Sequence, residues 1–260
     1  MNLKRNKIIG LISSVPLEGN FFTRRLKYTG KAINKQTGIF TGRLSGKDVV
    51  YSISGIGKTN ASHATTLLIH NFAPELIINF GVGGAYPYSG LGIGDIAIAE
   101  KEIYGDEGVF DKKGLHGVDF IGIPFLKKGR RIYFNEFPFH KGLVRKVAKA
   151  VEASLVPQPA VTHLPKRDKR MANTSSGIFV TVSTCTGTRE RAIELGKKFN
   201  AICENMEGAA VAHICCEYDI PCIEIRGISN IVEDRDTGKW DIRLASENCQ
   251  KALLGLLNLL

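Results

Sequence analysis

Short apolar runs of strand length alternate along this sequence with segments of helical spacing, and that alternation narrows the possible folds more than any other feature. Residues 8–12 read as a first strand, 48–54 as another, and 60–70 as a helix leading to a buried strand over 76–80, which Pro74 introduces. Further strands are expected over 95–99, 177–183 and 220–226, and further helices over 189–199, 207–218 and 246–260, the last amphipathic. Strands separated by helices form a mostly parallel sheet with covered faces, because a parallel connection needs a crossover long enough to hold a helix. The stretch 105–171 departs from this pattern. Pro124, Pro138, Pro157, Pro159 and Pro165 punctuate it, so loops are expected there, with one helix over 141–154. No internal repeat or low-complexity segment is present, and the expectation is one α/β domain spanning 1–260. With 43% hydrophobic and 23% charged residues, 260 residues suffice to bury its core.

Several function classes fall away on composition and placement. The run Ala252-Leu253-Leu254-Gly255-Leu256-Leu257 is far shorter than the roughly 20 apolar residues that span a bilayer, so no membrane span is expected. Lys4, Arg5 and Lys7 before an apolar run imitate a secretory leader, but the run ends at Ser13 with no small-x-small cleavage site, and it reads as a buried strand. The six cysteines form no C-x-x-C pair and lie in apolar surroundings, as reduced core residues of a cytoplasmic protein would. The histidines are scattered and match no zinc spacing, so no metal site is expected. The net charge of +10 raises the possibility of nucleic acid. Lys127, Lys128, Arg130 and Arg131 carry four positive charges and Lys166–Arg170 a net three, so two loops hold seven of the ten in excess. No aromatic residues interleave these runs as a stacking platform requires, and solvated loops or an oligomer rim are expected instead.

In an α/β sheet, ligands bind beyond the carboxyl ends of the strands. Glu18, the glycines after Phe80 and the pair Ser229-Asn230 should therefore share one edge. Gly81-Val82-Gly83-Gly84 allows a backbone to approach a ligand closely, or simply makes a tight strand-to-helix turn. It lacks the spacing of a P-loop and of a dinucleotide fingerprint. Glu207 opens the predicted helix over 207–218, where a carboxylate matches the helix dipole for about 0.3–1 kcal/mol. Flanked by Met206 and by small residues, it would also accept hydrogen bonds from vicinal sugar hydroxyls. Gly227-Ile228-Ser229-Asn230 approaches a nucleophile elbow, but Asn230 replaces its last glycine and no histidine follows His213, which removes a serine hydrolase.

Residues 8–19, Ser54-Gly55-Ile56-Gly57-Lys58, residues 79–84, Gly94-Asp95-Ile96, residues 206–212 and Ile225-Arg226-Gly227-Ile228-Ser229-Asn230 occur in a familiar order and spacing. Together they resemble the 5'-methylthioadenosine/S-adenosylhomocysteine nucleosidases of the purine nucleoside phosphorylase superfamily, over nearly the whole chain. Within that superfamily residues 181–187, Asn230 in place of an acid and Trp240 downstream are most similar to the futalosine hydrolases, which release hypoxanthine from futalosine in menaquinone biosynthesis. The resemblance implies a three-layer α/β/α fold around a central twisted mixed sheet, a homodimer or higher homo-oligomer, no cofactor, and a purine nucleoside as substrate. It implies that Glu18 directs the attacking water, that Glu207 binds the ribose and that Met206 packs beneath the sugar. Gly81, Val82 and Gly83 would lie near the glycosidic bond, and Cys185 and Thr186 beside the base.

Two departures bear on the substrate. Adenine-specific relatives carry an aspartic acid where this chain has Asn230, because the acid protonates purine N7. An amide supplies no proton but donates hydrogen bonds to N7 and to a 6-oxo group, which favours hypoxanthine as the leaving base; alternatively Asn230 only caps a turn. The arginine and serine with which phosphorylases hold phosphate are absent around Asn79-Phe80-Gly81-Val82-Gly83, which favours water as the nucleophile. Hydrolysis of futalosine to hypoxanthine and dehypoxanthinylfutalosine is the expected reaction. An adenine-releasing or inosine-type nucleosidase and a non-catalytic nucleoside-binding protein are the alternatives.

Overall fold

The computed structural model of the chain describes residues 7–28, 38–155 and 172–260. Lys4, Arg5, Pro157, Pro159, Pro165 and the basic run Lys166–Arg170 lie outside the described residues. The chain enters through β1 (Ile8–Ser13), turns into a short helix α1 (Pro16–Thr23), and continues through β2 (Lys27–Tyr28), β3 (Ile39–Leu44) and β4 (Lys47–Ile53) to helix α2 (Lys58–Phe72). Strands β5 (Leu76–Ala85) and β6 (Ile96–Tyr104) follow in succession. β7 (Val109–Asp111) then pairs with β8 (Gly114–His116), β9 (Leu126–Lys128) pairs with β10 (Arg131–Tyr133), and β11 (Glu136–Pro138) joins the main sheet beside β6. Helix α3 (Lys141–Leu155), β12 (Thr174–Thr181), α4 (Arg189–Phe199), β13 (Ala201–Asn205), α5 (Gly208–Glu217), β14 (Cys222–Ile231) and α6 (Ile242–Leu259) complete the chain.

The sheet is mixed rather than mostly parallel. β1 runs parallel to β4 and β5, and β14 lies parallel to β5 but antiparallel to β6, because it inserts between two strands that a turn, not a helix, connects. β6 pairs with β12, β12 with β13, and β13 returns antiparallel to β5. Five strands, β5, β14, β6, β12 and β13, therefore close into a ring. Helices α1, α3 and α6 pack together as one layer and α2 with α5 as another. Apolar residues at helical spacing drive this: Val144, Val147 and Val151 are the buried stripe of α3, and Leu253, Leu256 and Leu257 that of α6. Each such side chain contributes about 1.5–3 kcal/mol when fully buried.

Local chemistry moves several boundaries. Asp241 accepts a hydrogen bond from Leu244 N at 2.8 Å, so α6 starts at Ile242 rather than 246. Asn200 ends α4 in the left-handed conformation and sends the chain straight into β13. The glycines after Phe80 form no strand-to-helix turn; they continue β5 to Ala85. Among the cysteines, Cys203, Cys215, Cys222 and Cys249 are buried and Cys216 is half-buried, but Cys185 is exposed and is no core residue. In the basic run at 127–131, Lys128 Nζ donates to the carbonyls of Cys216 and Glu217 at 2.9 and 3.0 Å, so it caps the C-terminus of α5.

Candidate active site

The carboxyl ends of β1 and β5 and the middle of β14 bring buried charge to one place. Glu18, in the first turn of α1 and 2% exposed, accepts hydrogen bonds at Oε2 from Ser14 N (2.9 Å), Ser14 Oγ (2.8 Å) and Val15 N (3.1 Å). Its Oε1 accepts from Val82 N at 2.8 Å. A Cβ on Gly81 would overlap that oxygen, so only glycine lets β5 approach the carboxylate this closely. Arg226, on β14 and 1% exposed, donates from Nη1 to Val82 O at 3.2 Å and from Nε to Glu224 Oε1 at 2.8 Å.

Glu207 faces the same guanidinium. Its Oε2 stands 3.5 Å from Arg226 Nη1, and its Oε1 accepts from Gly57 N at 3.0 Å. Asn205 Oδ1 fixes the turn that carries it, accepting from the N–H groups of Glu207 (2.9 Å) and Gly208 (2.7 Å). Burial pushes the proton affinity of Glu207 up, Arg226 and the Gly57 N–H oppose the rise, and Glu18 and Glu224 add to it. Burial also works against the charge of Arg226, but Glu224, Glu207 and Glu18 outweigh it and hold the guanidinium above its ordinary pKa. A second tie stabilises the surrounding loops: Lys58, next to Gly57, pairs with Asp106 at 2.6 Å and Glu107 at 2.8 Å, and Asp106 accepts from the N–H groups of Ser183 and Thr184.

Ser183 and Thr184 lead to the other half of the site. Cys185 Sγ lies 3.2 Å from Met206 Sδ, beside Glu207. Thr186 is held by Glu204, which accepts from its N–H at 2.9 Å and its hydroxyl at 2.6 Å and from Tyr86 OH at 2.9 Å. Thr186 and Asn230 share the lining of a cavity of about 210 Å³ with Ile93, Arg235 and Trp240. Asn230 lies within β14 opposite Gly84, so it caps no turn. Its Oδ1 is 2.7 Å from Ser229 Oγ and its Nδ2 donates to Ile231 O at 3.1 Å, which leaves the second amide N–H uncommitted by these contacts. Ser229 Oγ also reaches Gly83 O at 3.2 Å, which joins this half of the site to β5.

Glu18, Gly81, Val82 and Glu207 thus meet around Arg226, while Asn230 and Thr186 meet at the adjoining cavity, with Met206 and Cys185 between the two. Two larger cavities, of about 780 and 750 Å³, have none of these residues in their linings. Buried convergent charge, not volume, locates the candidate site. The sequence reading missed Arg226, Glu204 and the Gly57 N–H. Arg226 had a signal: it alternates with Glu224 in the otherwise apolar run Cys-Ile-Glu-Ile-Arg-Gly-Ile, a pairing that a buried strand tolerates only when the charges meet.

Comparison with known proteins identifies the family and the fold. A family model described as the phosphorylase superfamily matches residues 8–258. A futalosine hydrolase of Thermus thermophilus is 31% identical over 82% of this chain and 83% of its own length. A 5'-methylthioadenosine/S-adenosylhomocysteine nucleosidase of Staphylococcus aureus is 28% identical over 86% of each chain. The corresponding nucleosidase of Neisseria meningitidis, solved with methylthio-immucillin-A, has the same fold with a TM-score of 0.78 at 23% identity, over 98% of this chain and 100% of its own.

Proposed function

This chain belongs to the phosphorylase superfamily, and from that premise we propose that it is an N-glycosyl hydrolase of purine nucleosides whose substrate is futalosine, releasing hypoxanthine and dehypoxanthinylfutalosine. The meeting of two carboxylates, Glu18 and Glu207, around one buried guanidinium carries the hydrolase reading. Cleavage of the glycosidic bond places positive charge on the ribose and negative charge on the departing base. Glu207, fixed at Oε1 by the Gly57 N–H, accepts from the ribose hydroxyls and favours the cationic sugar. Glu18, anchored through Oε2 and the Val82 N–H, directs water to the anomeric carbon and takes its proton. No cofactor enters this scheme.

Asn230 carries the choice of base. Its amide offers an N–H to N7 or O6 and no transferable proton, which suits a 6-oxopurine better than adenine. The futalosine hydrolase among the relatives supports the same reading. Methylthioadenosine and inosine are the competing substrates. The assay is side by side: purified protein is given futalosine, inosine and methylthioadenosine, and hypoxanthine and adenine release are timed. Preferential adenine release would overturn the assignment. Asn230→Asp is expected to shift the ratio of adenine to hypoxanthine release by about tenfold or more, because a buried site built for one hydrogen-bonding pattern rejects the other; an unchanged ratio would remove Asn230 from base selection.

We further propose that the enzyme assembles as a homodimer or higher homo-oligomer. Phe110, Phe120, Ile121, Ile123 and Ile132 expose apolar surface on and around the β7–β8 and β9–β10 hairpins, and a second copy of the chain is the proposed partner for that face. Sedimentation of the purified chain reads the outcome.

A further inference from the structure

Behind Glu207 lies a group of carboxyls that the scheme above leaves unused. Glu102 on β6 and Glu224 on β14 are both 0% exposed. Both press on Gly208: a Cβ there would overlap Glu102 Oε1 and Glu224 Oε2 together, so both oxygens crowd the same place at the start of α5. Glu224 Oε1 is taken by Arg226 Nε, whereas Glu224 Oε2 has no hydrogen-bond partner among the described residues. A buried oxygen left this way is costly, and more so if charged. Glu102 is fully occupied on its other sides. Its Oε1 accepts from Asn205 Nδ2 at 2.6 Å and its Oε2 from Thr181 Oγ1 at 2.7 Å, while Thr181 Oγ1 in turn accepts from Ala209 N at 2.7 Å. Asn205 and Thr181 thereby engage the N–H groups of Glu207, Gly208 and Ala209, and Glu102 anchors both.

We propose that Glu102 and Glu224 hold a single proton between them, Glu224 Oε2 donating towards Glu102 Oε1, and that this singly charged pair positions Glu207 and preserves its charge. One proton gives the orphaned oxygen its partner and removes the repulsion of two buried carboxylates. It also limits the negative charge that Arg226 alone must offset, with Glu224, Glu207 and Glu18 already facing it. Burial first, and then Glu224, push the proton affinity of Glu102 well up, against the Thr181 and Asn205 hydrogen bonds and Arg226. The other titratable groups facing the pair are Tyr104 on β6, Cys203 on β13 and Cys222 on β14, and burial holds each of them above its ordinary pKa and so uncharged. None of them supplies a second cation.

The positioning role rests on the ribose-binding reading of Glu207; the shared proton does not. Folding raises the affinity of Glu102 for a proton, so stability falls as pH rises from the ordinary glutamate range through the titration of Glu102. Loss of the proton places a second full negative charge behind Glu207, and turnover should fall on the alkaline side. Glu224→Gln puts an amide N–H where the proton sits, and its profile should lose that alkaline limb. Glu102→Gln leaves Glu224 charged against an acceptor and should lose up to about a hundredfold in kcat at every pH, the scale of a displaced reacting group. Infrared spectra read the proton directly: the wild type at neutral pH should show the carbonyl stretch of a buried protonated carboxylic acid, missing from both variants. A wild type without that band, or a band that persists in both variants, overturns the shared proton. With the band in place, an alkaline limb retained by Glu224→Gln overturns the positioning role. If no nucleoside is hydrolysed, the proposed activity fails while the spectra still decide the pair.

Discussion

Glu207→Ala should lower purine release by at least about a hundredfold, the usual loss when a group that stabilises developing charge is removed. The carboxylate is held from both sides, by the Gly57 N–H at 3.0 Å and by Arg226 at 3.5 Å, so it is aimed before substrate arrives and little reorganisation remains for the reaction. Glu207→Gln keeps the shape but turns one oxygen into an N–H donor, either towards Arg226 or towards the Gly57 N–H, and should lose comparable rate. Glu18→Ala is expected to lose at least about a hundredfold too, the lower end of general-base contributions. Steady-state rates on futalosine, with thermal unfolding to establish that the variants fold, decide the matter. Turnover within a few fold of wild type in either position would remove that residue from the mechanism.

Arg226→Met should destabilise the protein by about 3–5 kcal/mol, since removing one partner of a buried ion pair strands the other. Here the stranded groups are Glu224, with 0% exposure, and Glu207, with 4%. Urea unfolding reads the loss directly. Adding Glu207→Gln to Arg226→Met should recover part of it, because one of the abandoned charges is then gone. A loss below about 1 kcal/mol would show that the carboxyls simply take up protons when the guanidinium is removed, and that Arg226 contributes little to stability.

The sequence showed the layered α/β character through its long periodic segments: α2, α3, α4, α5 and the apolar cores of β1, β5 and β14 are all legible. It did not show β13, where Glu204 and Asn205 interrupt an apolar run with side chains that are buried only because Tyr86, Thr186 and the α5 backbone satisfy them. It also hid α1, a helix of eight residues in which Gly19 and Asn20 weaken the helical signal. Glu18 and Asn230 were legible as candidates by their places after predicted strands, and Glu207 by its place at the start of a predicted helix, beside Met206 and small residues. Arg226, Glu102 and Glu224 were less legible, since a charge in a strand looks solvent-facing until the opposite charge is brought to it from another strand by the fold. The parallel reading of the sheet failed for a related reason: strand direction depends on which strands become neighbours, and β14 is placed between β5 and β6 by closure of the sheet rather than by local spacing.

That closed ring of five strands also governs how the molecule can adapt. β5 carries Gly81, β6 Glu102, β12 Thr181, β13 Asn205 and β14 Arg226, so each stave of a hoop holds one part of the charged assembly. A hoop has no loose stave to slide. A shift of register in one strand would turn its inward residue outward and break pairing with both neighbours, so the charged assembly is inherited whole or lost whole. Asn230 and Thr186 stand at or beyond the ends of their strands, where a side chain can be exchanged while the hoop stays intact. On the proposed role of Asn230 in base selection, divergence between a 6-oxopurine and adenine can proceed at the rim by single substitutions, on a frame too tightly closed to vary with it.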